Sequence, residues 1–182
     1  VGAKGLATLQ KAQFSKKVIG RDRAQGVFAQ SFAEFAGRMV SGYRLTQGKK
    51  HLKTYAKTFA RAKSEYGVPG PVITAFWALE TDFGAVQGDF STLDALATLA
   101  YDCRRPELFR PQLIAFLKLV DTGALPANVE GAWAGEVGQV QILPSDILEF
   151  GTDGDGNGTV DLRKSKPDVI MTAARFLQHL GW

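Results

Sequence analysis

Tyr66-Gly67-Val68-Pro69-Gly70-Pro71-Val72-Ile73-Thr74-Ala75-Phe76-Trp77-Ala78-Leu79-Glu80-Thr81-Asp82-Phe83-Gly84 is the stretch on which the reading of this chain turns. Pro69 and Pro71 stand where a helix begins, since proline has no amide hydrogen to lose in a first turn. Val72 to Leu79 is apolar on every side, which predicts a helix buried at the centre of a domain. The helix runs out in Glu80-Thr81-Asp82-Phe83-Gly84, with Gly84 as the expected stop. A carboxylate at the end of such a helix is costly to ionise. Desolvation by Phe76, Trp77, Leu79 and Phe83 would raise its pKa, and a raised carboxyl is what a general acid near neutral pH requires. A Glu near a helix end is more often solvated or ion-paired, so position alone makes Glu80 a candidate and no more.

Working outward, the pattern is helical nearly throughout. Phe28, Phe32, Phe35 and Met39 recur at helical spacing between Gln25 and Ser41, with Gly42 closing the segment. Leu52, Tyr55, Phe59 and Ala62 mark a second helix from Lys49 to Tyr66, ended by Gly67. Both aromatic stripes read as core. Downstream, short helices are expected at Leu93–Ala100 and at Ser145–Phe150, the latter entered through Pro144. Longer ones are expected at Glu107–Val120 and Pro167–Leu180. A Gly-rich loop spans Gly131 to Gln141 and a Gly/Asp loop spans Gly151 to Asp161. Few segments alternate with period two, and no repeat or Pro/Ser-rich linker divides the chain. The expectation is a mainly α domain over residues 25–182, with residues 1–24 a weakly patterned N-terminal arm.

The composition fits one globular domain: 182 residues, 45% hydrophobic and 22% charged. No apolar run is long enough to span a membrane. A net charge of +4 suits an anionic polymer, an anionic surface or nucleic acid. No dense Lys/Arg run of the kind that marks a nucleic-acid arm is present, so nucleic acid is not the expected partner. Cys103 is the only cysteine, which rules out an internal disulfide and a Cys-rich metal site. A catalytic thiol would want a histidine partner, and His51 and His179 are both far from it in sequence. Cys103 is expected to be a buried small side chain.

The residues around Glu80 resemble those of the membrane-bound lytic transglycosylase B family and its soluble relatives. The resemblance rests on Tyr66-Gly67-Val68-Pro69 and Glu80-Thr81-Asp82-Phe83-Gly84. It continues in Gly88-Asp89-Phe90, Leu93 to Tyr101 and Arg104-Arg105. It then takes in Gly131-Ala132-Trp133-Ala134-Gly135, Gly138-Gln139, Gln141, Pro144-Ser145 and the closing Gly181-Trp182. From Arg23 to Trp182 the motifs follow in order. The resemblance implies an α+β lysozyme-like fold with a catalytic groove, and cleavage of the β-1,4 bond between N-acetylmuramic acid and N-acetylglucosamine. Glycoside hydrolysis normally uses two carboxylates. Asp82 lies two residues on, about 200° around a helix, and cannot face as Glu80 does. One carboxylate suffices if the sugar supplies the nucleophile. Glu80 protonates the leaving oxygen, then acts as base on the muramoyl 6-hydroxyl, which closes a 1,6-anhydro ring.

By the same resemblance Gln141 hydrogen-bonds substrate and the Gly131–Gly138 loop walls the groove. Trp133 and Tyr101 join the substrate-binding set, with Gly138. Arg104 and Arg105 match an arginine pair that frames the groove or meets peptide carboxylates, with a structural ion pair as the alternative. The chain departs from the family at Ala132, Glu136, Val137, Ile147, Arg175 and Phe176, where a hydroxyl and aromatic faces that would meet sugars are lost. Glu136 adds a carboxylate near the expected groove, either raising the pKa of Glu80 by like-charge repulsion or pointing to solvent.

Asp153-Gly154-Asp155-Gly156-Asn157-Gly158-Thr159 has the D-x-D-x-N-G spacing that opens an EF-hand loop. Asp153, Asp155 and Asn157 would offer side-chain oxygens and Thr159 its carbonyl. The position that closes a standard loop is Lys164. In the family an Asp farther on takes that role, and Asp168 matches it. The implied ion is a structural Ca²⁺, against the alternative of a plain Asx-type turn. Peptidoglycan glycan strands are the implied partner, and the periplasm or cell envelope the implied location. Two other readings remain: a peptidoglycan-binding scaffold that kept the fold and lost activity, and an unrelated calcium- or nucleic-acid-binding helical domain.

Overall fold

Ten helices and one two-stranded ribbon are built on the apolar stretch around Trp77 in the computed structural model, which describes residues 1–24 and 31–182. The central helix, α6 (Gly70–Thr81), starts after Pro69 and buries Ile73, Thr74, Trp77, Ala78 and Thr81. Around it stand α4 (Gly42–Thr54), α5 (Ala56–Tyr66) and α10 (Lys166–His179), all packed against it. A second layer is formed by α7 (Thr92–Tyr101), α8 (Pro106–Thr122) and α9 (Pro144–Phe150), with α7 and α9 both laid on α8. One core joins the layers through Trp77, Leu96, Leu99, Phe116, Val120, Ile170 and Met171, all essentially without solvent contact.

The ribbon pairs β1 (Phe90–Ser91) with β2 (Glu130–Gly131) antiparallel, Phe90 opposite Gly131. Residues 132–141 leave β2 as a loop, closed by an isolated bridge between Val137 and Ile142. At the N-terminus, α1 (Ala3–Leu9) lies on α8 and α2 (Lys16–Arg23) on α7. The amides of Gly2 and Gly5 donate to the Asp121 carboxylate, and the Gln13 amide donates to Asp94 Oδ1 at 2.8 Å. These bonds tie the weakly patterned segment across the second layer.

Several predicted boundaries move. Gly42 opens a helix instead of closing one. The Ser41 hydroxyl accepts from the Arg44 amide as an N-cap, and that local bond outweighs glycine's preference for a helix end. The helix expected from Lys49 to Tyr66 breaks at Tyr55, whose backbone leaves helical angles. The break lets α4 face α6 while Phe59 and Ala62 of α5 enter the core. The stripe expected at Phe28, Phe32, Phe35 and Met39 forms α3 (Phe32–Met39), with Phe28 outside the described residues. Phe32 and Phe35 are exposed, so this stripe is not core. Cys103 is also exposed, in the surface turn that follows α7.

Candidate active site

Glu80 sits in the last turn of α6, and the chain leaves the helix abruptly behind it. Asp82, Phe83 and Gly84 all have positive φ, at 50°, 62° and 89°. The stop is therefore Asp82, two residues ahead of the expected Gly84. The left-handed backbone is costly for Asp and Phe, and side-chain bonds hold it. Arg44 Nε donates to Asp82 Oδ1 at 2.6 Å. Thr81 is buried, donates its hydroxyl to the Gln139 carbonyl at 2.5 Å and accepts from the Gly84 amide at 2.9 Å. Asp82 is thus turned to Arg44 because the helix has already ended, not because of helical rotation. Glycine is required at position 84, where a Cβ would strike the Gln139 side chain.

Gln139 is the buried hub under this turn. Its Oε1 accepts from Trp77 Nε1 at 3.1 Å and from Lys166 Nζ at 2.8 Å, and its Nε2 donates to the Arg163 carbonyl at 2.8 Å. One amide side chain therefore joins α6, the loop after β2 and the start of α10. Trp77 packs edge-on against Phe83, with ring centroids 5.2 Å apart, and His51 lies 4.7 Å from both rings. Burial and the charges of Lys166 and Lys50 hold the His51 imidazole below its usual pKa, and burial alone lowers the Lys166 ammonium. Lys166 lies 5.5 Å from the Trp77 ring. Thr81 and Gln139 belong to motifs that carry the family resemblance, but nothing local in the sequence shows that they brace this turn, and Lys166 lies in no motif at all.

Glu80 lies open at the surface, yet enough protein surrounds its carboxyl to push its pKa up. Desolvation is the larger cause and the charge of Glu136 the second. Its place at the C-terminal, negative end of α6 acts in the same direction. Neither a cation nor a hydrogen-bond donor among the described residues offsets the rise. Of the two readings of Glu136, the solvent-facing one fails, because the side chain is half-buried. It stands in the loop after β2, and its Oε2 is buried without a partner.

The other predicted residues have mixed positions. Gln141 has a positive φ of 46°, and its amide nitrogen donates to the carbonyls of Gly138 at 2.8 Å and Gln87 at 3.2 Å. No hydrogen bond among the described residues engages its side-chain carbonyl oxygen. Gly138 is buried, and a Cβ there would lie 2.8 Å from the Leu162 carbonyl oxygen. Trp133 is half-buried against the core edge and Tyr101 is 83% exposed at the end of α7. Arg104 and Arg105 both bind Asp22 of α2, a carboxylate with 1% of its side chain exposed. They form the structural ion pair of the two readings given for them. Among the substituted positions, Val137 and Ile147 are core, and Phe176 packs on Phe76 and Phe150. Arg175 lies over the Phe150 ring at 6.0 Å, and Ala132 is half-buried on the loop.

Asp153, Asp155 and Asp168 converge between α9 and α10, with one carboxylate oxygen of each within 4.8 Å of the others. Asp153 accepts from the amides of Gly156, Asn157 and Gly158, which hold its carboxyl below the usual range, the Gly158 amide most of all. Asp168 is fully buried and accepts from the Gly154 amide at 2.8 Å and the Asp161 amide at 2.7 Å. Asn157 Oδ1 accepts from the Thr159 amide and hydroxyl. Hard oxygen donors from a Gly-rich loop suit a cation such as Ca²⁺. A cavity of about 690 Å³ beside this loop is lined by Leu119, Leu125, Leu148, Val160 and Lys164 and includes neither Glu80 nor Gln141.

The family model described as "Transglycosylase SLT domain" matches residues 3–182. The chain belongs to this family. It is 35% identical over 154 residues to membrane-bound lytic murein transglycosylase B of Escherichia coli K12, covering 84% of this chain and 42% of that protein. SltB3 of Pseudomonas aeruginosa, solved with NAG-anhNAM-pentapeptide, superposes with a TM-score of 0.90 at 29% identity, over 100% of this chain and 49% of that one. The E. coli lytic transglycosylase Slt35, solved in complex with calcium, matches with a TM-score of 0.86 at 29% identity, over 97% of this chain and 56% of that one. The chain spans about half the length of these relatives. Its architecture is thus the mainly helical, lysozyme-like one that the sequence resemblance implied.

Proposed function

We propose that this chain cleaves the MurNAc–GlcNAc β-1,4 bond of peptidoglycan as a lytic transglycosylase, with Glu80 as acid and then base. The observation that carries this reading is the Glu80 carboxyl itself. Its pKa is raised by burial and a like charge, and no cation among the described residues offsets the rise. Such a group keeps its proton until a leaving oxygen takes it, and its anion then draws the proton from the muramoyl 6-hydroxyl as that oxygen attacks C1. The bond to the leaving sugar breaks, the 1,6-anhydro ring forms, and Glu80 ends protonated as it began. The murein in the name of the E. coli relative and the NAG-anhNAM-pentapeptide bound to SltB3, which carries the anhydro sugar this reaction would form, support the same chemistry. Gln141, Gly138, Trp133 and Tyr101 would line the sugar path, and Arg104 and Arg105 would contribute by framing it while bound to Asp22.

Asp153, Asp155, Asn157, Thr159 and Asp168 would hold one structural Ca²⁺, fastening the loop to α10 away from proton transfer. Residues 1–24 serve as an arm strapped to the domain of residues 25–182. The cell envelope, on the periplasmic side, is the location such a substrate requires. No helix among the described residues is long and apolar enough to cross a membrane.

The test is mass spectrometry of purified peptidoglycan incubated with this protein and with Glu80→Gln. Release of 1,6-anhydromuropeptides by the parent alone is the expected result. Reducing-end products carrying added water would make it a hydrolase on the same scaffold. No release, with both proteins pelleting with the wall, would make it a binding protein.

A further inference from the structure

Beneath the turn behind Glu80 lies an ammonium group that bonds to neutral oxygens. Lys166 is the first residue of α10, and its half-buried side chain reaches back under the end of α6. Its Nζ donates to Gln139 Oε1 at 2.8 Å and to the Phe83 carbonyl at 3.4 Å, and it stands 5.5 Å from the centre of the Trp77 ring. Among the described residues no ion pair includes it. Taking a cation partly out of water without a counter-charge costs stability. A surface lysine would avoid that cost by turning to solvent. Here the charge is held against the turn instead.

Both ends of this link are fixed. At its root, the Ser165 hydroxyl caps α10 by accepting from the Asp168 amide, and it donates to Asp155 Oδ2 at 2.8 Å. At its far end, Gln139 is 1% exposed, and its own backbone amide donates to the Leu162 carbonyl at 2.9 Å. Gly84 lies directly on the Gln139 side chain, where a Cβ would come within 2.5 Å of Oε1. Between Glu80 and that contact, Asp82, Phe83 and Gly84 keep left-handed angles, which Asp and Phe adopt reluctantly. Lys166 therefore grips the run twice. It holds the carbonyl of the middle residue, and it orients the amide on which the last residue rests.

We propose that Lys166 is a positioning residue for the reaction of Glu80: its ammonium clamps the Phe83 carbonyl and the Gln139 amide, and so fixes the backbone that aims the acid. The proposal rests on the transglycosylase reading given above. Lys166 touches neither the sugar nor the Glu80 carboxyl in this role. Glu80 immediately precedes Thr81, whose hydroxyl is bound to the Gln139 carbonyl, so a shift of Gln139 or of the Phe83 peptide is passed to the last turn of α6. The glycosidic oxygen must meet the acid at hydrogen-bond distance, and a displacement of about 1 Å at that point costs up to about 10²-fold in rate. Without the ammonium, Gln139 Oε1 keeps Trp77 Nε1 as its donor, while the Phe83 carbonyl loses the donor it has. The turn then loosens and the core beneath it stays.

The experiment compares the parent, Lys166→Met and Lys166→Arg on the whole chain, below the melting range of each. Two quantities are read: kcat and KM on solubilised uncrosslinked glycan strands, and amide hydrogen exchange. The Gly84 and Val86 amides report the turn, since they donate to the Thr81 hydroxyl and carbonyl, and the Phe116 amide in the core of α8 is the reference. In Lys166→Met, kcat should fall about tenfold with KM little changed. Exchange at Gly84 and Val86 should quicken by about tenfold or more, the scale of one hydrogen bond to a charged group, while Phe116 keeps its rate. Lys166→Arg keeps cationic donors and should lie nearer the parent in both. Unmoved exchange at the turn overturns the proposal, as does faster exchange with kcat unchanged. A loss carried by KM, an equal quickening at Phe116, or an equal loss in Lys166→Arg overturns it too. If Lys166→Met does not fold, Lys166→Gln, whose shorter neutral side chain falls short of the Phe83 carbonyl, is held to the same outcomes. Absence of anhydromuropeptides from the parent would defeat the functional reading and the catalytic part of this proposal with it, while the exchange comparison, which needs no turnover, still decides whether Lys166 holds the turn.

Discussion

Two groups of carboxylates on this chain are built on opposite plans. At the end of α6 and on the wall loop, Glu80 and Glu136 are burdened by desolvation, and Glu136 has an enclosed oxygen with no donor. Between α9 and α10, the Asp153 and Asp168 carboxylates take up five backbone amides between them. The first plan favours the neutral acid and suits proton transfer. The second favours the anion and suits a fixed cation and a fixed backbone. The difference teaches that acidic residues do not by themselves name a function. The number of N–H donors aimed at each carboxylate does.

The largest effect that would break this contrast is on turnover. Glu80→Gln should reduce anhydromuropeptide release by about 10²- to 10⁴-fold, the usual contribution of a general acid, with an unchanged circular dichroism spectrum. Retained activity would place the acid elsewhere. Next comes Asp168→Ala, which strands two buried amide donors and should cost about 2–4 kcal/mol in urea unfolding. The pH–rate profile of that variant should keep its shape if the loop only fastens α10 and supplies no group to proton transfer. Calcium sharpens the same contrast. Saturating Ca²⁺ over chelator should stabilise the parent by about 2.7 kcal/mol at a hundredfold excess over Kd, and Asp153→Asn should abolish the gain without changing the products.

The smallest effect is a difference in sign. Glu80 holds its proton more tightly folded than unfolded, so its ionisation costs stability as pH rises above the ordinary carboxyl value of 4.5. Glu80→Gln should therefore melt slightly higher than the parent at about pH 7, and equally at about pH 3. Asp153 has the opposite shift, and its contribution is present above the ordinary value of 3.8 and lost as pH falls through its lowered one. Asp153→Asn should melt below the parent at about pH 7, with the gap closing in strong acid. Melting curves across pH that moved both variants in one direction would erase the distinction between the two regions.

Much of this was legible beforehand. The helix through Trp77, the carboxyl at its end and the Asp/Gly loop are local patterns, written in composition and spacing over fewer than twenty residues each. The misreadings share one cause. Residue type alone marks Gly42 and Gly84 as stops, whereas Ser41 capping and the Arg44–Asp82 ion pair set those helix ends. Phe32 and Phe35 have core periodicity but no neighbour among the described residues that buries them. Periodicity reports which face is apolar, not whether anything covers it.

The sequence by itself determined the buried central helix, the position of Glu80 in its last turn and the oxygen-rich loop, because helix propensity, apolar patterning and turn chemistry act over one or two turns of chain. Only the tertiary structure decided that Gln139 braces the turn behind Glu80, that Asp22 claims both arginines, and that Glu136 lies within electrostatic reach of Glu80. Those pairings join residues far apart in the chain, and the energy of a buried charge depends on what surrounds it in space.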